Sequence, residues 1–349
     1  MLQFIDKVGK TVRELPKYAQ EPNALVRLYR AMVFVRAFDE KAVALQRTGR
    51  LGTYASSLGE EAVGVGLASA MQTEDVFFPS FREQSAMLWR GVTPLELLLY
   101  WGGDERGSDF KGPVLDFPIS VPVASHLPHA AGAALAMKLK GEKRAVVAVT
   151  GDGGSSKGDF YEAINIAGIW RLPAVFVINN NQWAISVPRS QQTAAETLAQ
   201  KAVAAGIPGE QVDGNDVVAV HAAAKRALAR AWAGKGSSLI EAITYRLSDH
   251  TTADDAHRYR SDEEVSAHWK EEPVSRLRTY LVHEGAWSKA DEEALHDEYT
   301  KRIAEAVEEY LATMAQPITT AFDHTFATLP ADLERQKVEA QFFSGESRD

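Results

Sequence analysis

Residues 145–186, AVVAVTGDGGSSKGDFYEAINIAGIWRLPAVFVINNNQWAIS, constrain this chain more than any other stretch. A β-branched apolar run over 145–150 reads as a buried strand and ends in Gly151-Asp152-Gly153-Gly154. A helix follows, with Asp159 in its first turn and Phe160, Ile164 and Ala167 near helical spacing. Leu172-Pro173 ends it, and residues 174–178 form a second strand running into Asn179, Asn180 and Asn181. A strand–helix–strand unit crosses over right-handed, so both strands end on one edge of the sheet. Asp152 and the asparagines are therefore expected to meet beyond the carboxyl ends of adjacent strands, where open α/β sheets bind ligands.

An aspartate is a hard anionic oxygen donor, an asparagine carbonyl a neutral one, and a loop carbonyl beyond it a third. Three protein oxygens leave about half of an octahedron for phosphate oxygens and water, the coordination Mg²⁺ favours. Gly153 and Gly154 let backbone approach a phosphate at the start of the next helix. An Asp beside a diphosphate repels it unless a cation lies between them. Two commoner phosphate loops fail here. A dinucleotide loop starting at Gly151 needs glycine at Ser156 and an acid at the second strand end, and an ATP-type loop needs Ser or Thr where Gly158 follows Lys157. A plain turn explains the glycines but not the asparagines one helix and one strand later.

GDGG followed by NNNQWAIS resembles the thiamine diphosphate fingerprint. GDFYEAINIAG, residues 188–214 and HTTADDAHRYRS extend the likeness to the alpha subunits of the first component of 2-oxo acid dehydrogenase complexes. It runs from about Asn23 to beyond Ala290. The resemblance implies bound thiamine diphosphate and Mg²⁺, with Asp152, Asn181 and the Trp183 carbonyl on the metal. It implies cofactor contacts from Phe81, Arg82, Val121, Val123, Asp152, Gly153, Gly154, Asn181, Ile185 and His250, with His250 also catalytic. The implied reaction is oxidative decarboxylation of pyruvate and acylation of a lipoyl group on an acyltransferase partner. Branched-chain 2-oxo acids and acetoin are the alternative substrates. A separate beta subunit is implied to supply the glutamate that activates the cofactor's aminopyrimidine, in an assembly of two alpha and two beta chains. Gly59-Glu60-Glu61 is set aside for that task because it opens a helix.

Without the resemblance, Arg82 reads as an ordinary helix-start arginine and His250 as a solvated loop residue. Phe81 stands where many relatives carry Tyr, and can pack but cannot donate a hydrogen bond. Ala55 replaces a histidine of some relatives, and Thr251 aligns with a serine that some relatives phosphorylate. His126 and His129 lie three apart without a carboxylate in register and read as core or interface histidines.

The 349 residues hold 38 basic and 47 acidic side chains, a net charge of −9 that disfavours nucleic acid and anionic membranes as partners. Zero cysteines remove disulfides and thiolate chemistry. The first 20 residues lack the apolar core of a signal peptide, and no run approaches the roughly 20 apolar residues of a membrane span, so a cytoplasmic protein is expected.

The pattern predicts an α/β fold: a central, mostly parallel sheet flanked by helices on both faces, with a helical C-terminal part. The resemblance makes this the thiamine diphosphate-binding fold of diphosphate-binding type. The expected organisation is an arm at 1–22, an α/β domain at 23–330 containing an active-site loop at 246–262, and a polar tail at 331–349. Asn23 is the expected cap of a long helix ending near Gly49, and Leu295, Tyr299, Ile303, Val307 and Leu311 form a stripe for packing on the sheet or a neighbouring subunit.

Overall fold

The computed structural model describes residues 1–344, which divide into one compact unit over residues 1–307 and a second from 308 onward. In the first unit, α1 (Pro22–Arg47) and α2 (Glu61–Ala70) precede β1 (Val76–Phe78), and α3 (Gln84–Arg90), α4 (Pro94–Trp101) and α5 (His126–Leu139) lead to β2 (Val146–Gly151). Helix α6 (Gly158–Ile169) and β3 (Ala174–Asn180) complete the central crossover. A small hairpin, β4 (Trp183–Ala184) with β5 (Val187–Pro188), is followed by α7 (Arg189–Gln192), α8 (Lys201–Ala204) and β6 (Gly209–Asp213). Then come α9 (Val217–Trp232), β7 (Ser238–Ile243), α10 (Asp262–Trp269), α11 (Pro273–His283) and α12 (Lys289–Ala312), whose last turn enters the second unit.

The five-stranded sheet is parallel throughout, in the order β1-β2-β3-β7-β6. Its central strands are buried on both faces because alternate side chains enter two different layers. Val146, Ala148, Phe176 and Ile178 pack with Leu127 and Met137 of α5 and Phe160 and Ile164 of α6. The opposite layer contains α9, packed on the sheet and against α2. Burying a Val, Ile or Phe side chain stabilises by about 1.5–3 kcal/mol, so a one-residue slip of register would lose much of the core.

The close approach of α2 depends on its small residues. A Cβ on Gly64 would lie 1.9 Å from the Ser85 hydroxyl oxygen and 2.7 Å from the Ala86 nitrogen at the start of α3. Gly64→Ala is therefore expected to destabilise the chain by about 1–3 kcal/mol through overpacking. Thermal unfolding reads this directly, and an unchanged midpoint would count against the packing account.

Several boundaries differ from expectation for identifiable reasons. Helix α1 starts at Pro22 with Glu21 in the cap position, not at Asn23, because proline's fixed φ and missing N–H suit the first helical position. The N-terminal arm lies along β6: the Leu2 N–H donates to the Gln211 carbonyl, and the Phe4 and Ile5 N–H groups donate to Asp216. Strand β3 extends through Asn179 and Asn180, which pair with Ala242 and Ile243 of β7. In α12, Leu295, Tyr299, Ile303 and Val307 are buried, and Tyr299 packs edge-on against Phe34 of α1 rather than on the sheet. Leu311 is exposed. The second unit also contains α13 (Thr320–Asp323) and α14 (Ala331–Ser344), so the stretch expected as a polar tail is helical as far as Ser344; residues 345–349 lie outside the described residues.

Candidate functional site

Strands β2 and β3 are neighbours in register, Gly151 opposite Asn179, so Asp152 leaves the sheet beside the asparagines. Asp152 is buried, and a 3₁₀ turn (Gly153–Ser156) follows it. The Ser155 hydroxyl donates to the Asp152 carbonyl at 2.7 Å, and Lys201 Nζ donates to the Ser155 carbonyl at 2.6 Å. Both glycines are needed for the turn to close: a Cβ would meet Ala184 Cβ at 2.6 Å from Gly153 and the Thr150 hydroxyl at 2.0 Å from Gly154. The Asp152 carboxylate accepts one side-chain hydrogen bond, from the neutral Gln192 amide at 2.8 Å, and burial raises its pKa. Keeping a buried carboxylate charged is costly even with Arg246 pulling the other way, and a carboxylate among neutral amide oxygens is donor chemistry that suits a divalent ion.

The asparagines are held by buried acids. Glu60, 2% exposed, accepts from Asn179 Nδ2 at 2.5 Å and Asn181 Nδ2 at 2.9 Å. With both amide nitrogens turned to Glu60, the carbonyl oxygens face elsewhere: Asn179 Oδ1 accepts from the Thr244 hydroxyl, and Asn181 Oδ1 from the Trp183 N–H at 3.3 Å. Asn180 Nδ2 donates to Glu241 at 2.7 Å. Burial pushes the Glu60 carboxyl up to about 7, against the pull of Arg82, whose Nε lies 3.8 Å away. Glu60 belongs to this site although its sequence context set it aside. The signal was the pair Gly59-Glu60 before α2, and only the fold brings that loop across the end of β3.

Two buried guanidiniums converge on His250. Arg82 Nη2 lies 3.2 Å and Arg246 Nη1 3.4 Å from His250 Nδ1, and Arg82 Nη2 also donates to the His250 carbonyl at 2.8 Å. Guanidinium nitrogens only donate, so Nδ1 accepts and the imidazole proton resides on Nε2. Phe81 packs edge-on against His250, with Arg82 over its ring. Arg246 is fully buried and was not singled out from sequence, where an arginine opening a polar loop carries no distinguishing mark. It donates to the carbonyls of Trp183 at 3.0 Å and Ile185 at 2.9 Å and to the Tyr259 hydroxyl at 2.8 Å. Burial, with Arg82 alongside, lowers its pKa to about 10. Such a concentration of positive charge beside a divalent-ion donor set fits a diphosphate.

The same field keeps His250 neutral: burial, then Arg82 and Arg246, lowers its pKa to about 3. His126, the first residue of α5, is buried with its Nε2 2.7 Å from the Val149 carbonyl, and burial lowers its pKa to about 4. His129 is exposed and lies against Phe117. Unfolded histidines take up protons near pH 6.5, whereas these two resist until about pH 4 and 3, so the unfolded state binds more protons in that interval. Stability is thus expected to be unaffected by these groups above pH 6.5 and to fall as pH drops toward 4. His126→Gln should flatten that fall in denaturant titrations; an identical slope would refute it.

Of the remaining expected residues, Ile185 lies in the β4–β5 loop, where its carbonyl accepts from Arg246, and Val121 and Val123 lie in the segment before α5. Val121, Val123 and Ile185 are exposed apolar side chains. Ala124, Gln182 and Ile185 have φ of +64°, +73° and +54°, conformations rare for residues other than glycine and costly for a β-branched one. Three strained positions next to Val123, Asn181 and the β4–β5 hairpin mark loops shaped for something other than their own stability.

Residues 29–318 match the family described as Dehydrogenase E1 component. A pyruvate dehydrogenase E1 component subunit alpha from Staphylococcus aureus strain Mu50 is 40% identical over 339 residues, covering 96% of this chain and 91% of that protein. The protein of the same description from Staphylococcus epidermidis is 39% identical over the same shares. With its metal-type donors, paired guanidiniums and histidine at one sheet edge, and with likeness along nearly its whole length, the chain belongs to the dehydrogenase E1 component family.

Proposed function

We propose that this chain is the alpha subunit of a thiamine diphosphate- and Mg²⁺-dependent pyruvate dehydrogenase, acting with a beta subunit inside a larger complex. The reading is supported by the β2–β3 register, which puts Asp152 and the asparagines at the carboxyl ends of adjacent strands, by Glu60, which links Asn181 to Arg82, and by the convergence of Arg82 and Arg246 on His250. Asp152, the Asn181 side-chain carbonyl and the Trp183 backbone carbonyl, which also accepts from Arg246, would hold the metal. Arg82 and Arg246 would offset the charge of a diphosphate, and Gly153 and Gly154 permit the tight turn that follows Asp152. Val121, Val123 and Ile185 provide apolar surface for the rings, and Phe81 packs beside His250. Bound thiamine diphosphate supplies an electron sink for loss of carbon dioxide from a 2-oxo acid.

The chain's own part is to bind, orient and move protons. Glu60 accepts from the Asn181 amide nitrogen, which leaves the side-chain oxygen as the atom that would face a metal. Arg82 and Arg246 hold His250 in the tautomer with Nε2–H free to donate to a substrate oxygen or take part in proton transfer. The carboxylate that activates the aminopyrimidine comes from the beta subunit, and the acyl unit leaves on the lipoyl domain of an acyltransferase. Exposed Tyr161, Ile166, Ile169 and Trp170 on and just after α6 give a partner chain apolar surface to cover. Among the described residues no helix is long and apolar enough to cross a membrane.

The decisive experiment is reconstitution. The alpha chain alone is expected to show no decarboxylation of pyruvate, and co-expression with its beta subunit to restore it. Turnover by the isolated chain would refute the division of labour. A panel including 2-oxoisovalerate and acetoin separates the substrate alternatives, which depend partly on side chains of the beta subunit.

A further inference from the structure

The edge of the sheet opposite the candidate site has a polar cavity of about 440 Å³. It lies where three connections meet: the end of α6 before β3, the loop before β6, and the end of α9 before β7. Arg171, Arg230 and Lys235 line it, and no carboxylate does. None of the three side chains forms an ion pair or hydrogen bond among the described residues, and Arg230 Nε is buried without a partner. One turn earlier on the same helix, Arg226 pairs with Glu210 at 2.6 Å, so α9 does pair its arginines where an acid is within reach. In a chain with net charge −9, three unpaired cations around one cavity need an explanation. The backbone is also shaped for the approach: Arg171 has φ +47°, and a Cβ on Gly236 would crowd Arg171 Cα and Cβ at 3.2 Å.

We infer that this cavity binds a small phosphate-bearing anion, at a site separate from the carboxyl-edge crevice. A carboxylate carries one charge and satisfies one guanidinium fork. A phosphate dianion offers at least three acceptor oxygens, enough for two arginines and a lysine converging from different loops and for the unpaired Arg230 Nε–H. Free phosphate and a phosphorylated metabolite share this chemistry. The inference goes beyond the proposed reaction and does not depend on it.

The test uses the chain in its complete assembly, saturated with thiamine diphosphate and Mg²⁺ so that the other anion site is filled. Calorimetric titration with inorganic phosphate, and separately with glycerol phosphate, is expected to show saturable binding, one site per chain, with a dissociation constant of about 1 mM or tighter. Tighter binding of glycerol phosphate identifies a phosphorylated metabolite as the source, and tighter binding of inorganic phosphate the free ion. Arg230→Met combined with Lys235→Met should weaken binding at least about tenfold while thiamine diphosphate affinity is unchanged. Equal affinity for succinate, no saturable heat up to about 20 mM, or unaltered affinity in the double variant would overturn the inference.

Discussion

Asp152→Ala is expected to abolish Mg²⁺-dependent thiamine diphosphate binding, with affinity falling by at least about two orders of magnitude, while the fold persists. In the proposed donor set Asp152 is the one anionic member beside the neutral oxygens of Asn181 and Trp183, and losing outer-shell partners alone typically costs about 10–100-fold in metal affinity. Removal of the carboxylate leaves two neutral oxygens facing a divalent ion and a diphosphate. The fold should survive because the carboxylate's side-chain partner is one surface-side amide, Gln192, and its burial is itself unfavourable. Calorimetry of cofactor binding across a Mg²⁺ series, with circular dichroism as the control, measures both halves. Wild-type affinity would remove Asp152 from the metal, and an unfolded variant would mean that the turn is structural instead.

Arg246→Met should have the second-largest effect, acting on two loops at once. The fully buried guanidinium ties the Trp183 and Ile185 carbonyls to the loop carrying His250 and Tyr259. A methionine fills the volume but leaves two carbonyls without their donors, each costing about 1–3 kcal/mol. The expected results are a stability loss of at least about 2 kcal/mol, faster amide exchange over residues 183–187 and 246–260, and weakened cofactor binding. Exchange rates equal to wild type in both segments would show that Arg246 does not join them. Because Trp183 is a candidate metal donor through its backbone, loosening its hairpin should also lower Mg²⁺ affinity.

These two residues show how unevenly the sequence displays its site. Asp152 was legible because a β-branched run, a glycine-rich turn and an amphipathic helix each leave a periodic or compositional mark, and together they place one acid at a strand end. The five-stranded parallel sheet follows from the same marks. Arg246 and Glu60 carry no such mark. One opens a polar loop and the other precedes a helix, and each joins the site only because the chain returns to the same edge from over 50 residues away in sequence: Glu60 to Asn179 and Asn181, Arg246 to Trp183 and Ile185.

The sequence by itself determined the central crossover, the donor types at its rim and the apolar layers that bury the sheet, because those are local properties of spacing and side-chain chemistry. The tertiary structure decided which way the amides of Asn179 and Asn181 turn, which nitrogen of His250 holds the proton, and where unpaired cations collect on the opposite edge. Those depend on charges and hydrogen-bond donors brought together from distant segments, whose strength is set by burial, and burial exists only once the chain has folded.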